Sequence, residues 1–209
     1  MEATQNSVLH VMNERHSVRA YEKGHVISDA EIEEMLAVTS QAPSSWNLQH
    51  WKFLIIKSEE AKQKMLPIAY NQQQVVDSSF TVVVLGDLEA DKNAERVYGE
   101  AVENGFMNED VKNTLVGQIK NAYASSPTIA RDEAILNASL AAMQLMLAAK
   151  AKGYDTCPIG GFDKQQCKKA FNVPDRYIPV MMITVGKAEK AAHASSRFPV
   201  SEVTVIDTF

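Results

Sequence analysis

Arg15-His16-Ser17-Val18-Arg19 sets two guanidinium groups around a hydroxyl within five positions. Arg presents a planar fork of donors that matches a phosphate, and Ser adds a compact donor beside it. Four distant segments carry groups of related use. Pro43-Ser44-Ser45-Trp46-Asn47 supplies hydroxyls and an amide in a turn-like composition. Asn71-Gln72-Gln73-Gln74 offers amides, donor and acceptor at once, which suit a ring edge that mixes N–H and C=O. Pro158-Ile159-Gly160-Gly161-Phe162-Asp163 holds two consecutive glycines, where a backbone can approach a flat ligand and present its N–H groups. Ser195-Ser196-Arg197-Phe198-Pro199 brings one more guanidinium. Each has a plainer reading: solvated arginines at a helix end, a helix terminator, a polar helix face, a tight loop. For the first segment alone, the plainer reading is favoured.

The elements that must position these groups follow from periodicity and caps. Val8, Leu9, Val11 and Met12 form a short amphipathic segment ahead of Arg15. Ser28-Asp29-Ala30-Glu31 reads as a capping box opening a helix through Ile32, Met35 and Leu36 that stops before Pro43. Phe53–Ile56 reads as a buried strand, and Ser58-Glu59-Glu60 as the cap of another helix. Phe80–Leu85 and Ile178–Val185 are the strongest strand patterns, and Thr204-Val205-Ile206 is a third candidate. A helix from about Thr128 to Lys152 is apolar or small nearly all round between Ala138 and Ala149, with Gly153 as its left-handed stop. Asp91 to about Ala124 is charged and reads as one or two outer helices that could form a mobile cover. Strands mixed with helices, without regular βαβ alternation, predict an α+β layer architecture.

Composition removes several function classes. The chain has 209 residues, 45% of them hydrophobic, which suffices for a substantial core. A net charge of −5 argues against a broad nucleic-acid footprint. No run of eighteen apolar residues occurs, so no membrane partner is expected. There is no G-x-G-x-x-G, no phosphate loop with G-K-[ST], no H-E-x-x-H and no G-x-S-x-G. The five histidines are scattered, so no metal site is expected. Cys157 and Cys167 have neither metal nor disulfide spacing, which makes a reducing cytoplasm the default setting. Cys157 reads as a small buried thiol rather than a redox centre.

In order and spacing the five segments resemble the FMN-dependent nitroreductase family, from near the N-terminus to about Pro199. The resemblance implies a mixed, largely antiparallel sheet flanked by helices, in an intertwined homodimer with residues 1–209 as a single FMN-binding domain. It implies that Arg15, Ser17 and Arg19 hold the flavin phosphate and reach the pyrimidine side of the ring, with Arg197 as a further phosphate contact. His16 matches a family Arg or His, although a packed histidine is the plainer expectation. Pro43, Ser44, Ser45 and Asn47 would approach the flavin from the partner subunit, Asn71 and Gln74 would meet the ring through their amides, and Pro158, Ile159, Gly160 and Gly161 would present backbone to it. The chain departs from relatives at Gln74 and Ser195, where a Lys occurs, and at Gly160, where a Glu occurs. The implied activity is two-electron, ping-pong transfer from NADH or NADPH to a nitroaromatic, quinone or similar small acceptor, with no side chain needed as nucleophile or base. Alternatives are a flavin, enoate or dehalogenating reductase on the same scaffold, or a flavin-binding sensor without turnover.

Overall fold

A four-stranded antiparallel sheet organises the chain, in the order β1-β2-β4-β3. Its strands are β1 (Trp51–Ile56), β2 (Phe80–Asp87), β3 (Asp155–Ile159) and β4 (Tyr177–Gly186). The computed structural model describes residues 8–209. Every residue of β2 is buried, because helices cover both faces of the sheet. The side-chain alternation of a strand divides the core in two. Val82, Val84, Ile183 and Val185 face α2 (Asp29–Thr39) and α7 (Ile129–Ala151). Val83, Leu85 and Met182 face α3 (Glu59–Ile68) and α8 (Lys164–Ala170) on the other side. The ladder between β2 and β4 shifts register after Val84, where Leu85 pairs with Pro179. A proline has no N–H for the ladder, and the irregularity accommodates it.

Helix α7 lies flat on the sheet because its contact face is made of small residues. Ala134, Ala138, Ala141, Ala142 and Ala149 are fully buried. A Cβ at Gly86 of β2 would stand 2.8 Å from the Ala134 carbonyl oxygen, so this close approach requires glycine. Gly153 ends the helix at φ 85°, as its position predicts. By length and composition α7 would pass for a membrane span, but eight of its residues are buried against the rest of the fold. The α2 capping box is present in both directions, with Ser28 Oγ accepting from the Glu31 N–H and Glu31 Oε2 accepting from the Ser28 N–H.

Two differences from the sequence expectations have physical causes. The stretch read as a loop from Pro158 onward begins inside β3, so Pro158 and Ile159 belong to a strand. At five residues with Asp and Pro it carries little strand signal, and as an edge strand it tolerates the proline. Conversely, Thr204-Val205-Ile206 forms no strand, and Val205 and Ile206 are exposed. Their β-branched character suits a strand, but among the described residues no sheet edge pairs with them. The charged region forms two helices, α5 (Ala94–Glu103) and α6 (Glu109–Ser125), after a short 3-10 turn. These pack on a third apolar cluster containing Leu48, Ala90, Ala94, Tyr98, Val116 and Ile119.

Candidate functional site

The Arg15–Arg19 segment lies along the free edge of β3. The Val18 N–H donates to the Thr156 carbonyl at 3.0 Å, and Ser17 forms a parallel bridge with Thr156. Val18 is buried, while Ser17 and Arg19, one residue to either side, remain reachable from outside. Tyr21 secures the run from below, its hydroxyl 2.9 Å from Thr184 Oγ1. Burial pushes its phenol well above the usual tyrosine range. Two more backbone bonds, Glu22 N to Lys187 O and Glu189 N to Ala20 O, bring the end of β4 back beside this segment.

That return joins residues nearly two hundred positions apart. A cavity of about 280 Å³ is lined by Arg15, His16, Ser17 and Arg19 from the N-terminal side and by His193, Ala194, Ser195 and Arg197 from the other. Three guanidinium groups line it and no carboxylate does, so the cavity attracts an anion. Arg197 Nη1 donates to Ser195 Oγ (3.1 Å) and to the Ser196 carbonyl (2.8 Å), which holds the side chain in a defined pose. Arg15 Nε is buried with no hydrogen-bond partner, and so is Thr156 Oγ1 next to Ser17. Buried polar groups are nearly always satisfied, so these two atoms stand out, and of the pair only Arg15 lines the cavity. His16 is exposed rather than packed, which corrects the plainer expectation for it. His193 and Ala194 escaped the sequence reading, because nothing in their type distinguishes them from a linker.

From Thr156 to Gly160 the strand advances about 13 Å, carrying the chain from the guanidinium cluster to the glycine pair. Ile159 buries its side chain in the core, leaving only its backbone available. Gly160 and Gly161 are exposed, neither lies at positive φ, and a Cβ on either meets nothing within 4 Å. A left-handed conformation is therefore not what these glycines supply. Gln72 Nε2 donates to the Gly161 carbonyl at 2.9 Å, and the Asp163 N–H donates to the Ile68 carbonyl at 2.9 Å. The Asn71–Gln74 stretch is thus stitched to the glycine pair, as the separate readings of the two segments require. Asn71 is exposed at φ 59°, whereas Gln74 is buried with its amide donating to Gln72 Oε1. The structural bridge is Gln72, which the sequence did not single out among three consecutive glutamines.

Pro43, Ser44, Ser45 and Asn47 line none of this cavity within the same chain. Ser45 and Asn47 begin and end a 3-10 turn, where the Ser45 N–H donates to Asn137 Oδ1 of α7 at 2.8 Å. Among the described residues, seven non-glycine residues have positive φ, and five of them are Trp46, Asn47, Gln49, Tyr70 and Asn71. Backbone strain of this kind gathers at ligand clamps, and here it falls within or beside two of the segments chosen for their chemistry. Cys157 is buried and burial pushes its thiol up, which disfavours the reactive thiolate.

Comparison with known proteins places this arrangement in context. The sequence profile of the nitroreductase family matches residues 12–187. A protein of Bacillus subtilis (strain 168), provisionally named the NAD(P)H nitroreductase YodC, is 53% identical over 198 residues, covering 95% of this chain and 98% of its own. A crystal structure of a provisionally assigned nitroreductase in complex with FMN, from Exiguobacterium sibiricum 255-15, matches with a TM-score of 0.91 at 39% identity and 99% coverage of both chains. A second, of a provisional NAD(P)H:FMN oxidoreductase from Staphylococcus epidermidis ATCC 12228, gives the same TM-score at 38% identity, again over 99% of both chains. With the profile spanning most of the sequence and the fold shared from end to end, the chain belongs to the nitroreductase family of oxidoreductases.

Proposed function

We propose that the chain is an FMN-dependent oxidoreductase that passes two electrons from NADH or NADPH to a nitroaromatic, quinone or similar small acceptor. The cavity shared by Arg15, Ser17, Arg19 and Arg197 carries this reading, because it suits one terminal phosphate. The fit extends to the partnerless Nε of Arg15, a buried donor in want of an anionic acceptor. FMN, when bound, supplies the redox chemistry. The chain's own residues bind and orient. His16 stands at the mouth of the phosphate cavity, Asn71 offers its amide toward the ring, Gln74 meets it only by releasing the amide it gives to Gln72, and Pro158, Ile159, Gly160 and Gly161 form the backbone wall. The exposed amides of the glycine pair are free to donate toward an electron-rich ring edge.

Ser44, Ser45 and Asn47, with Pro43, reach the flavin from a second copy in this reading. Their absence from the cavity lining within one chain supports it, as do the apolar residues left exposed along α7: Leu136 (56%), Leu140 (43%) and Met143 (39%). The tail adds Phe198, Ile206 and Phe209 to that unpaired surface. Residues 1–209 act as one domain of a homodimer, and the two free thiols support a cytoplasmic setting. The experiment is a titration of the ligand-free protein with FMN and with riboflavin, followed by turnover of NADH or NADPH with menadione and a nitroaromatic. Binding that prefers FMN and supports turnover is expected. Equal affinity for riboflavin removes the phosphate assignment, and FMN binding without turnover leaves the sensor reading.

A further inference from the structure

The segment between α2 and β1 adopts a conformation that its own residues disfavour. Trp46, Asn47 and Gln49 lie at φ 52°, 57° and 53°, and a left-handed backbone is costly for a residue as bulky as Trp. Such geometry persists only where the surroundings over-determine it. Here the surroundings come largely from the α5–α6 excursion. Tyr98 of α5 donates its hydroxyl to the Trp46 carbonyl at 3.1 Å, and Asn93 Nδ2, just before α5, donates to the Leu48 carbonyl at 2.9 Å. The Tyr123 hydroxyl of α6 lies 3.0 Å from His50 Nε2. Leu48 is fully buried in the cluster that α5 and α6 build, and Trp46 packs against the same cluster.

We infer that α5 and α6 are the brace that holds the Ser44–Gln49 segment in its left-handed form, with Tyr98 and Tyr123 as positioning residues for Ser44, Ser45 and Asn47. The inference rests on the reading above, in which those three residues face FMN from a second copy. It replaces the expectation of a mobile cover with a fixed support. The charged outer faces of α5 and α6 meet water, and their apolar faces fix the backbone that addresses the cofactor.

Tyr98→Phe and Tyr123→Phe each delete one hydroxyl and keep the ring. Tyr154→Phe is the control, since it deletes a hydroxyl bonded to Glu31 at the far end of α2. Two measurements are made on each variant: hydrogen exchange at the Asn47, Leu48 and Gln49 amides of the ligand-free protein, and FMN affinity with the visible spectrum of the bound flavin. Those amides donate to the Ser44 carbonyl, the Ser45 carbonyl and Ser44 Oγ, so their protection reports on the turn itself. We expect faster exchange there in both tyrosine variants, a two- to tenfold weaker FMN affinity (about the worth of one neutral hydrogen bond), and a shifted flavin band. Tyr154→Phe should leave all three unchanged. Unchanged exchange in Tyr98→Phe and Tyr123→Phe overturns the inference, and so does faster exchange at parental FMN affinity or an equal effect in the control. Should the parent bind no FMN, the flavin reading fails, and the exchange data decide the bracing alone.

Discussion

At the scale of single residues, the site combines unsatisfied donors with residues whose plain stability role is separable from ligand binding. Arg15→Ala and Arg197→Ala each remove a charge-assisted contact to the phosphate and should weaken FMN by about 1.5–3 kcal/mol, while riboflavin affinity stays level. Parental FMN affinity in both variants contradicts the assignment. Gly161→Val tests the ring wall. The free chain has room for the side chain and no positive φ there, so its thermal stability should stay within about 0.5 kcal/mol of the parent. Its FMN affinity should nevertheless fall, because the obstruction is to the ligand. Gly160→Glu should keep FMN and its reduction by NAD(P)H, changing mainly the preference among acceptors. His50 offers a different handle. It is buried, its Nδ1 has no partner, and burial lowers its pKa although Glu133 and Asp87 pull the other way. The folded state therefore holds it neutral more firmly than the unfolded state does. Below about pH 6.5 the unfolded chain takes up a proton first, and stability falls until the folded-state pKa is passed. Denaturation midpoints from pH 7.5 to 5 should show this slope, and His50→Gln, which can keep a donor toward Tyr123, should flatten it.

At the scale of elements, close packing between α7 and the sheet makes the sharpest forecast. Gly86→Ala drives a Cβ to 2.8 Å from a backbone oxygen that cannot rotate away, so calorimetry should show a loss of about 1–3 kcal/mol. The elements with strong local signals were legible: the Ser28 cap, the β-branched β2 and β4, and the alanine-rich α7 with Gly153 at its end. Strand β3 was not, because an edge strand with a proline is defined by its neighbour rather than by its own residues. The same limit applies to the site. The Arg pair, Arg197 and the glycines were singled out once the family resemblance was added to type and spacing, and the fold brings the first two into one cavity. His193, Gln72 and the tyrosine supports were invisible because each works through a contact that exists only after folding.

At the scale of the whole molecule, the exposed apolar residues of α7 and of the tail predict that association and folding are linked. The thermal midpoint should rise with protein concentration, and light scattering should give a dimer; a monomer that binds FMN stoichiometrically removes the second-copy role of Ser44 and Asn47. On the proposed reading, in which donor and acceptor use one cofactor face in turn, double-reciprocal plots should be parallel, and intersecting lines would indicate a ternary complex. The position of the two cysteines has a bearing on durability. Oxidants attack the thiolate, and access decides the rate. Cys157 and Cys167 are both buried, the first pushed up by burial and the second raised to about 11. The fold thus keeps both sulfhydryls of the chain away from dissolved peroxide. A thiol reagent such as Ellman's should find neither in the native protein and both in denaturant, and hours in dilute peroxide should leave that count intact.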